Sequence, residues 1–216
     1  MSTTTLAPSA LDLYAAALSG EAPELWARRR DGSGSPLPLQ CWLGPLTAAD
    51  EDVLARAAAP VLDVGCGPGR HVLALAQRGM LALGIDISSV AIAHARRRGA
   101  PVVEASVFDR IPSAGRWGSA LLLDGNVGIG GCPHTLLCRL ATLVAPGAAV
   151  LVELDPPGAP TGSEELRLEA GGRVSDWFTW ARVGVDGVAA LAAGTGLAVS
   201  DVWEASGRWF AALVAR

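Results

Sequence analysis

Short apolar runs alternate with longer segments rich in alanine and arginine through the middle of the chain. The apolar runs have the length of buried strands, and the segments between them have the spacing of amphipathic helices. The predicted strands cover residues 60–66, 81–87, 101–107, 117–124 and 148–154, and the predicted helices cover residues 70–78, 89–98 and 133–144. This alternation predicts an α/β fold with a parallel sheet and helices on both of its faces.

The pattern changes on either side of this central series. Before it, residues 11–18, 23–30 and 47–58 have helical spacing. We therefore expect a helical N-terminal cap over residues 1–47 and a main domain over residues 48–216. After the series, Gly171 and Gly172 predict the turn of a hairpin inserted near residues 164–183, because glycine adopts the positive φ that tight turns need. The last predicted elements are a helix over 185–193 and strands over 197–205 and 208–214.

Composition limits the partners that we expect. The chain has 216 residues, 50% of them hydrophobic, which suits one core-rich domain. Its net charge of −4 argues against a nucleic-acid partner. The N-terminal segment has no basic residues before its apolar run and carries Asp12, so it does not resemble a signal peptide. No apolar stretch reaches the ~18 residues that span a bilayer. We expect a cytoplasmic protein with no membrane partner.

The four cysteines, Cys41, Cys66, Cys132 and Cys138, include no CxxC pair. This spacing is typical of reduced thiols in a cytosolic protein. Cys132 and His134 offer two metal ligands, whereas a structural zinc site takes four. We therefore expect no bound metal.

The most informative segment leads from the first strand into the first helix of the series. Gly65, Gly67 and Gly69 follow the strand, and Arg70 opens the helix. Glycines at such a turn let the backbone approach a ligand closely, and the first N–H groups of the helix then face that ligand. Asp63 stands two residues before the first glycine, where a carboxylate is suited to accept from an ammonium group.

With this acidic residue and its Gly-x-Gly-x-Gly turn, the chain resembles the class I S-adenosylmethionine-dependent methyltransferases. The resemblance covers roughly residues 48–216 and implies a seven-stranded Rossmann-like sheet of order 3-2-1-4-5-7-6 with an antiparallel last strand. It implies S-adenosylmethionine as the cofactor, bound by Asp63, Gly65, Gly67 and Gly69 among others.

Further cofactor contacts are expected at the ends of the next three strands. Asp86 lies 21 residues after Gly65, where a carboxylate can accept from both ribose hydroxyls. The resemblance implies that the adenine stacks on Ile87. The acidic residue that the family often places after the third strand is out of step here, so backbone groups of Ser106, Val107 and Phe108 are expected to hold the adenine.

Candidates for catalysis and acceptor binding follow from position. Asp124 ends the fourth strand and is expected to contact the cofactor or orient the acceptor, unless it caps the glycine turn behind it. His134, at the start of the next helix, is a candidate base, although a helix-start residue without a catalytic role is the simpler interpretation. An aromatic acceptor pocket would consist of Tyr14, Trp42, Asn126, Trp177 and Trp180. Packing of the tryptophans onto the sheet is an equally good interpretation of their positions.

The sequence therefore predicts methyl transfer from S-adenosylmethionine to a small molecule, by in-line displacement. Two alternatives remain open. An NAD-dependent oxidoreductase shares the glycine turn and Asp86, but it is disfavoured by Asp63 and Arg70. A non-catalytic S-adenosylmethionine-binding protein would keep all of these features. The acceptor molecule, the acceptor atom and the oligomeric state are left open.

Overall fold

The computed structural model describes residues 7–216. Its strands, in chain order, are β1 (Trp26–Arg29), β2 (Gly34–Pro36), β3 (Val61–Val64), β4 (Ala82–Asp86), β5 (Val102–Glu104), β6 (Trp117–Leu122), β7 (Val144–Leu154), β8 (Gly162–Ala170), β9 (Arg173–Val174), β10 (Phe178–Arg182), β11 (Leu197–Ala205) and β12 (Arg208–Ala215). Its α-helices are α1 (Ala10–Leu18), α2 (Leu39–Leu43), α3 (Ala48–Ala55), α4 (Arg70–Gln77), α5 (Ser89–Arg97), α6 (Pro133–Leu143) and α7 (Val188–Ala192). Two short 3-10 helices cover Asn126–Gly131 and Val185–Gly187.

Seven strands form the central sheet, in the order β11-β12-β7-β6-β3-β4-β5. The strands from β3 to β7 pair in parallel, whereas β12 runs antiparallel to both β7 and β11. Numbered along the chain within this sheet, the order is 3-2-1-4-5-7-6. The predicted Rossmann-like sheet, with its antiparallel seventh strand, is therefore confirmed.

The central strand β3 is buried along its whole length because helices cover both faces of the sheet. Leu62 and Val64 point into the core on one face, and Val61 points into the core on the other. Alternation along the strand places Asp63 on the same face as Val61, with only 1% of its surface exposed. A carboxylate is thus built into the core where the strand reaches the glycine turn.

A second, smaller sheet has the strand order β10-β8-β1-β2, with β9 paired to β8. It corrects the prediction of a helix over residues 23–30, because Trp26–Arg29 is strand β1. This strand pairs antiparallel with β8, which lies in the hairpin that was predicted near residues 164–183. Alanine and arginine favour helices locally, but the pairing with a distant strand decides the conformation.

We call this five-stranded sheet, together with α1 and α2, the cap. The hairpin turn at Gly171 and Gly172 has positive φ at both glycines, as predicted. The hairpin and the N-terminal segment share one sheet, which the sequence did not indicate. The division into a cap over residues 1–47 and a main domain over residues 48–216 remains a prediction.

Several predicted boundaries shift by a few residues. The third predicted strand, 101–107, shortens to Val102–Glu104 because the following residues form a turn around Asp109. The fifth begins earlier than predicted, at Val144. The predicted helix over 185–193 divides into a 3-10 turn and α7.

Within residues 7–216, no helix is both long and apolar enough to cross a bilayer. The same residues contain no group of three or more His, Cys, Asp or Glu side chains arranged to hold a metal ion.

Candidate active site

The glycine turn joins β3 to α4 at the carboxyl edge of the central sheet. Gly65, Gly67 and Gly69 all have positive φ, which disfavours any other residue. Space is also restricted there, since a Cβ on Gly65 would lie 2.7 Å from the amide nitrogen of Asn126 and one on Gly69 would lie 2.9 Å from the Cβ of Ala95. The turn therefore presents bare backbone to the space in front of the sheet.

Asp86 ends the neighbouring strand β4 and fixes this turn. Its Oδ2 accepts from the N–H of Gly67 at 2.8 Å, and its Oδ1 accepts from the N–H of Ser88 at 2.8 Å. Burial raises the pKa of the Asp86 carboxyl above its usual value. Each carboxylate oxygen keeps a second lone pair, so Asp86 can hold the turn and still accept from the two hydroxyls of a ribose.

Two exposed apolar side chains lie beyond Asp86. Ile87 is 58% exposed and Phe108 is 46% exposed, although large apolar residues elsewhere in the chain are mostly buried. A Cβ on Gly130 would lie 3.1 Å from the Phe108 ring, so glycine at this position lets the ring approach the backbone closely. Ile87 and Phe108 offer the kind of apolar surface on which a planar base stacks.

The loop after β5 fits the predicted backbone contact with adenine. Asp109 Oδ2 accepts from the N–H of Ser106 at 3.1 Å, and Ser106 Oγ accepts from the N–H of Phe108 at 3.2 Å. The carbonyl of Val107 accepts from Arg139 Nε at 2.9 Å. Within the described part of the chain, the N–H of Val107 is the one backbone donor of residues 106–108 without a hydrogen bond.

Asp63 carries an unsatisfied carboxylate oxygen. Its Oδ2 is buried and has no hydrogen-bond partner among residues 7–216. Burial raises the pKa of Asp63 to about 6, with smaller effects from the charges of His71, Asp124 and Arg70. A buried acceptor without a donor is costly unless a ligand supplies the donor.

Asp124, at the end of β6, is fully engaged by arginine. Arg70 Nη2 donates to both of its carboxylate oxygens, at 2.7 and 2.8 Å, and Arg208 Nη2 donates to Oδ1 at 3.2 Å. The backbone N–H of Asp124 donates to Glu153 Oε2 at 2.6 Å. Two guanidiniums therefore hold its carboxylate, and its predicted contact with the cofactor or the acceptor remains a prediction.

The same arginines reach Asp50, which is completely buried in α3. Its carboxylate accepts from Arg70 Nη1 and from Arg208 Nη1, the latter at 2.7 Å, and lies 3.2 Å from His71 Nε2. Burial alone would raise the pKa of Asp50, but hydrogen bonds from His71, Thr47 and Arg208 hold it well below its usual value. This ion-pair network ties α3 to the sheet edge beside the glycine turn.

Tyr14 and Trp42 bring the cap over the glycine turn. Their rings pack edge to face, with centroids 5.9 Å apart. A Cβ on Gly67 would lie 3.1 Å from the Tyr14 hydroxyl oxygen, so this predicted acceptor-pocket residue lies against the glycine turn. Burial and the carboxylates of Asp86 and Asp124 raise the pKa of Tyr14, which keeps its hydroxyl a hydrogen-bond donor. Trp42 Nε1 is buried without a partner among the described residues.

Trp177 and Trp180 lie on opposite faces of the cap sheet. Trp177 packs under the guanidiniums of Arg30 and Arg167, at 4.3 and 5.0 Å, on the outer face. Trp180 lies on the inner face, where its indole leaves no room for a Cβ on Gly128 in the 3-10 segment that follows Asp124. The structure brings Trp180 to the site and keeps Trp177 away from it.

Asn126 was predicted to line the acceptor pocket, and His134 was predicted as a candidate base or a helix-start residue without a catalytic role. The side-chain amide of Asn126 donates to the carbonyls of Val64 at 3.0 Å and Gly65 at 2.9 Å, so it holds the glycine turn. His134 is exposed on α6, where its Nδ1 lies 3.7 Å from Cys138 Sγ. None of its hydrogen bonds reaches another predicted site residue.

A row of charged side chains between the inner face of the cap and the end of β7 forms ion pairs that were not predicted. Arg29 Nε donates to Glu164 Oε2 at 2.5 Å, and Arg182 donates to both oxygens of Asp155 at 2.9 Å. Glu164 is opposite Trp180 in the strand pairing, which places both on the face that meets the sheet edge. The alternation of side chains along the second strand of the hairpin could have separated Trp177 from Trp180. The ion pairs could not be predicted, because each one joins two segments that are far apart in the sequence.

The first 53 residues of the central series match a known family. A model described as a methyltransferase domain matches residues 61–113, which contain the glycine turn and Asp86. Trans-aconitate 2-methyltransferase of Paracidovorax citrulli is 32% identical over 116 residues, covering 50% of this chain and 45% of that protein. The enzyme of the same name from Methylobacterium nodulans is 38% identical over 113 residues, covering 48% and 42% respectively. The chain thus spans less than half the length of either relative.

A solved structure matches almost the whole chain. The S-adenosylmethionine-dependent methyltransferase of Bacteroides fragilis, in complex with S-adenosylhomocysteine, superposes with a TM-score of 0.80 and covers 98% of both chains at 22% identity. The motif, the matched family model and the fold together confirm the resemblance to the class I S-adenosylmethionine-dependent methyltransferases.

Proposed function

We propose that this chain transfers the methyl group of S-adenosylmethionine to a small-molecule acceptor. One observation carries the proposal. The buried side-chain polar atoms that lack a partner among residues 7–216 are Asp63 Oδ2, Trp42 Nε1 and Arg70 Nε, and all three belong to residues around the glycine turn. Elsewhere in this part of the chain, buried side-chain polar atoms are satisfied, as they are in most proteins.

These three atoms match the amino-acid end of the cofactor. Asp63 Oδ2 is an acceptor and suits an ammonium group, whereas the N–H groups of Trp42 and Arg70 are donors and suit a carboxylate. At the other end, Asp86 would accept from the ribose hydroxyls, while Ile87 and Phe108 would flank the adenine and the N–H of Val107 would donate to its edge. Gly65, Gly67 and Gly69 would let the backbone approach between them.

The bound cofactor would supply an activated methyl group on a sulfonium. The residues of this chain would orient the two reactants and exclude water, which are the main requirements of an in-line displacement. Tyr14 and Trp42 would cover the cofactor from the cap side, and Trp180 would form part of the acceptor pocket. Asp124 would act through Arg70, whose position it fixes.

The two alternatives make different demands on the site. NAD has no ammonium group to pair with Asp63, so an NAD-dependent oxidoreductase would leave that oxygen unsatisfied. A non-catalytic protein would bind S-adenosylmethionine through the same residues, and it differs only in turnover. The enzyme is favoured because Trp180 and the two ion pairs of the charged row form a half-buried surface next to the cofactor site, where an acceptor can bind.

Calorimetric titration tests the proposal directly. S-adenosylmethionine and S-adenosylhomocysteine should bind, NAD should not, and Asp86→Ala should abolish binding of both sulfur nucleotides. Asp201→Ala, at an exposed strand position remote from the turn, serves as the matched control and should bind normally. A clear NAD isotherm, or silence towards both sulfur nucleotides, would overturn the proposal.

A further inference from the structure

We infer that the acceptor is a primary or secondary amine, held through its ammonium form by Glu164. This inference rests on the proposed function and assigns the substrate class of the same site. It follows from the charges that line the acceptor side and from a carboxylate oxygen of Glu164 that Arg29 holds only at 3.5 Å.

The arginines near the site are all ion-paired, and the one unpartnered donor among them, Arg70 Nε, is assigned to the carboxylate of the cofactor. The chain has no lysine, so apart from histidine arginine supplies every side-chain cation. Arg29 pairs with Glu164 and Arg182 pairs with Asp155, while Arg70 and Arg208 share three carboxylates between them. Asp63 and Asp86 add negative charge without an arginine ion pair of their own.

Such a site disfavours a polyanionic acceptor. A tricarboxylate would need unpaired guanidiniums, and binding it here would place like charges together in a partly buried space. The acceptor in the name of the two relatives, trans-aconitate, is therefore a poor fit to this chain. An excess of carboxylates instead attracts a cation.

Glu164 is the carboxylate best placed to hold that cation. Its Oε2 accepts from Arg29 at 2.5 Å, but its Oε1 lies 3.5 Å from Arg29 Nη2, beyond the range of a good hydrogen bond. By contrast, both oxygens of Asp155 are held at 2.9 Å. Glu164 is partly exposed and is next to Trp180 across the strand pair, so Oε1 can accept from a bound ligand.

The chemistry of amine methylation agrees with this charge. The ammonium first loses a proton through Glu164 to solvent. The nitrogen lone pair then forms the new N–C bond, the C–S bond breaks, and its electron pair stays on sulfur. Positive charge moves from the sulfonium to the nitrogen, and a nearby carboxylate stabilises it there. An oxygen acceptor would have to become an anion beside the same carboxylates, which is unfavourable.

The test compares acceptor classes in an assay for S-adenosylhomocysteine release, with mass spectrometry to locate the methyl group. D-Glucosamine, spermidine and ethanolamine represent amines, trans-aconitate and citrate represent polycarboxylates, and catechol represents hydroxyl acceptors. We expect N-methylation of at least one amine and no turnover of the polycarboxylates or catechol. The inference is overturned if the protein methylates trans-aconitate or catechol in preference to the amines. It is also overturned if the protein binds the cofactor but methylates none of the amines.

Variants of Glu164 separate recognition from folding. Glu164→Gln should lower kcat/KM for the amine about 10- to 100-fold, the worth of one charge-assisted hydrogen bond, without changing the affinity for S-adenosylhomocysteine. Glu164→Asp, which keeps the charge, should recover part of the loss. The matched control is Glu165→Gln, because Glu165 pairs with Arg30 at 2.7 Å and is the next residue of β8, which places it on the opposite face. Equal losses of kcat/KM in Glu164→Gln and Glu165→Gln would contradict the inference. If the unmodified protein does not bind S-adenosylmethionine at all, the proposed function itself is contradicted.

Discussion

Substituting Asp63 by asparagine should stabilise the free protein and weaken cofactor binding at the same time. The carboxyl is buried, its Oδ2 has no partner among the described residues, and burial raises its pKa from 3.8 to about 6. Keeping it ionised above about pH 6 then costs the free protein about 3 kcal/mol, since a tenfold change in proton affinity is worth about 1.4 kcal/mol. Asparagine has the same shape and no charge, so it removes this cost.

The sign follows from proton linkage. Between about pH 4 and about pH 6 the folded protein binds more protons at this site than the unfolded chain does, so stability falls as pH rises through that window. Above about pH 6 the whole cost is present. Asp63→Asn should therefore be the more stable protein at about pH 8, by up to about 3 kcal/mol or roughly 6 to 12 °C in Tm, and the difference should vanish near about pH 4.

Cofactor binding should change in the opposite direction. An ionised Asp63 can accept from the ammonium of S-adenosylmethionine, and this charge-assisted hydrogen bond is worth about 10- to 100-fold in affinity. For the unmodified protein, Kd should rise by up to about tenfold as pH falls from about 6 to about 5, because the carboxyl must give up its proton before it can accept. In Asp63→Asn, Kd should be high and should lose this pH dependence.

Thermal unfolding across this pH range and calorimetry with S-adenosylmethionine measure both effects on the same samples. Asp176→Asn removes an exposed carboxylate and should leave both curves unchanged. An Asp63→Asn protein that is no more stable at about pH 8, and that binds S-adenosylmethionine with undiminished affinity, would refute the reasoning.

Two further predictions concern neighbours of the turn. Tyr14→Phe should weaken S-adenosylhomocysteine binding about three- to tenfold in calorimetry, the worth of one neutral hydrogen bond, and an unchanged Kd would show that the hydroxyl does not contact the cofactor. Arg208→Met should destabilise the protein by about 3 to 5 kcal/mol in urea unfolding, because Asp50, Asp124 and Glu153 lose a shared partner. Arg56→Met breaks partly exposed pairs with Asp52 and Asp201 and the stacking of Arg56 on Trp203, so it should cost less than about 2 kcal/mol. Equal losses of stability in Arg208→Met and Arg56→Met would contradict the importance assigned to the buried network.

Local pattern was enough to predict the central sheet. Each of its first five strands is a short apolar run next to a helix, so the strands follow from the local pattern, whereas their order was implied by the resemblance to the methyltransferase family. The glycine turn was predictable as well, because positive φ and close approach leave glycine as the suitable residue at Gly65, Gly67 and Gly69.

The errors arise where distant segments meet. Strand β1 was predicted as a helix because its residues carry helical propensity, and its partner β8 lies far along the chain. Asp124 was predicted to contact the cofactor or to orient the acceptor, and its ion pairs were missed because Arg70 and Arg208 are 54 and 84 residues away in sequence. Trp177 and Trp180 were assigned to one pocket although they are three residues apart, and alternation along an extended segment places such residues on opposite faces.

The carboxylates of this site that pair with arginine have a different role from the carboxylate of Asp63. Asp50, Asp124 and Glu153 share Arg70 and Arg208, so the desolvation of these carboxylates is offset within the protein and the edge of the sheet is held rigid. Asp63 lies against the same network, yet neither arginine donates to its Oδ2. Had a guanidinium reached it, the free protein would be more stable and the ammonium of the cofactor would have to displace that partner. Leaving one buried acceptor unpaired therefore lowers the stability of the free protein and raises its affinity for a cationic ligand.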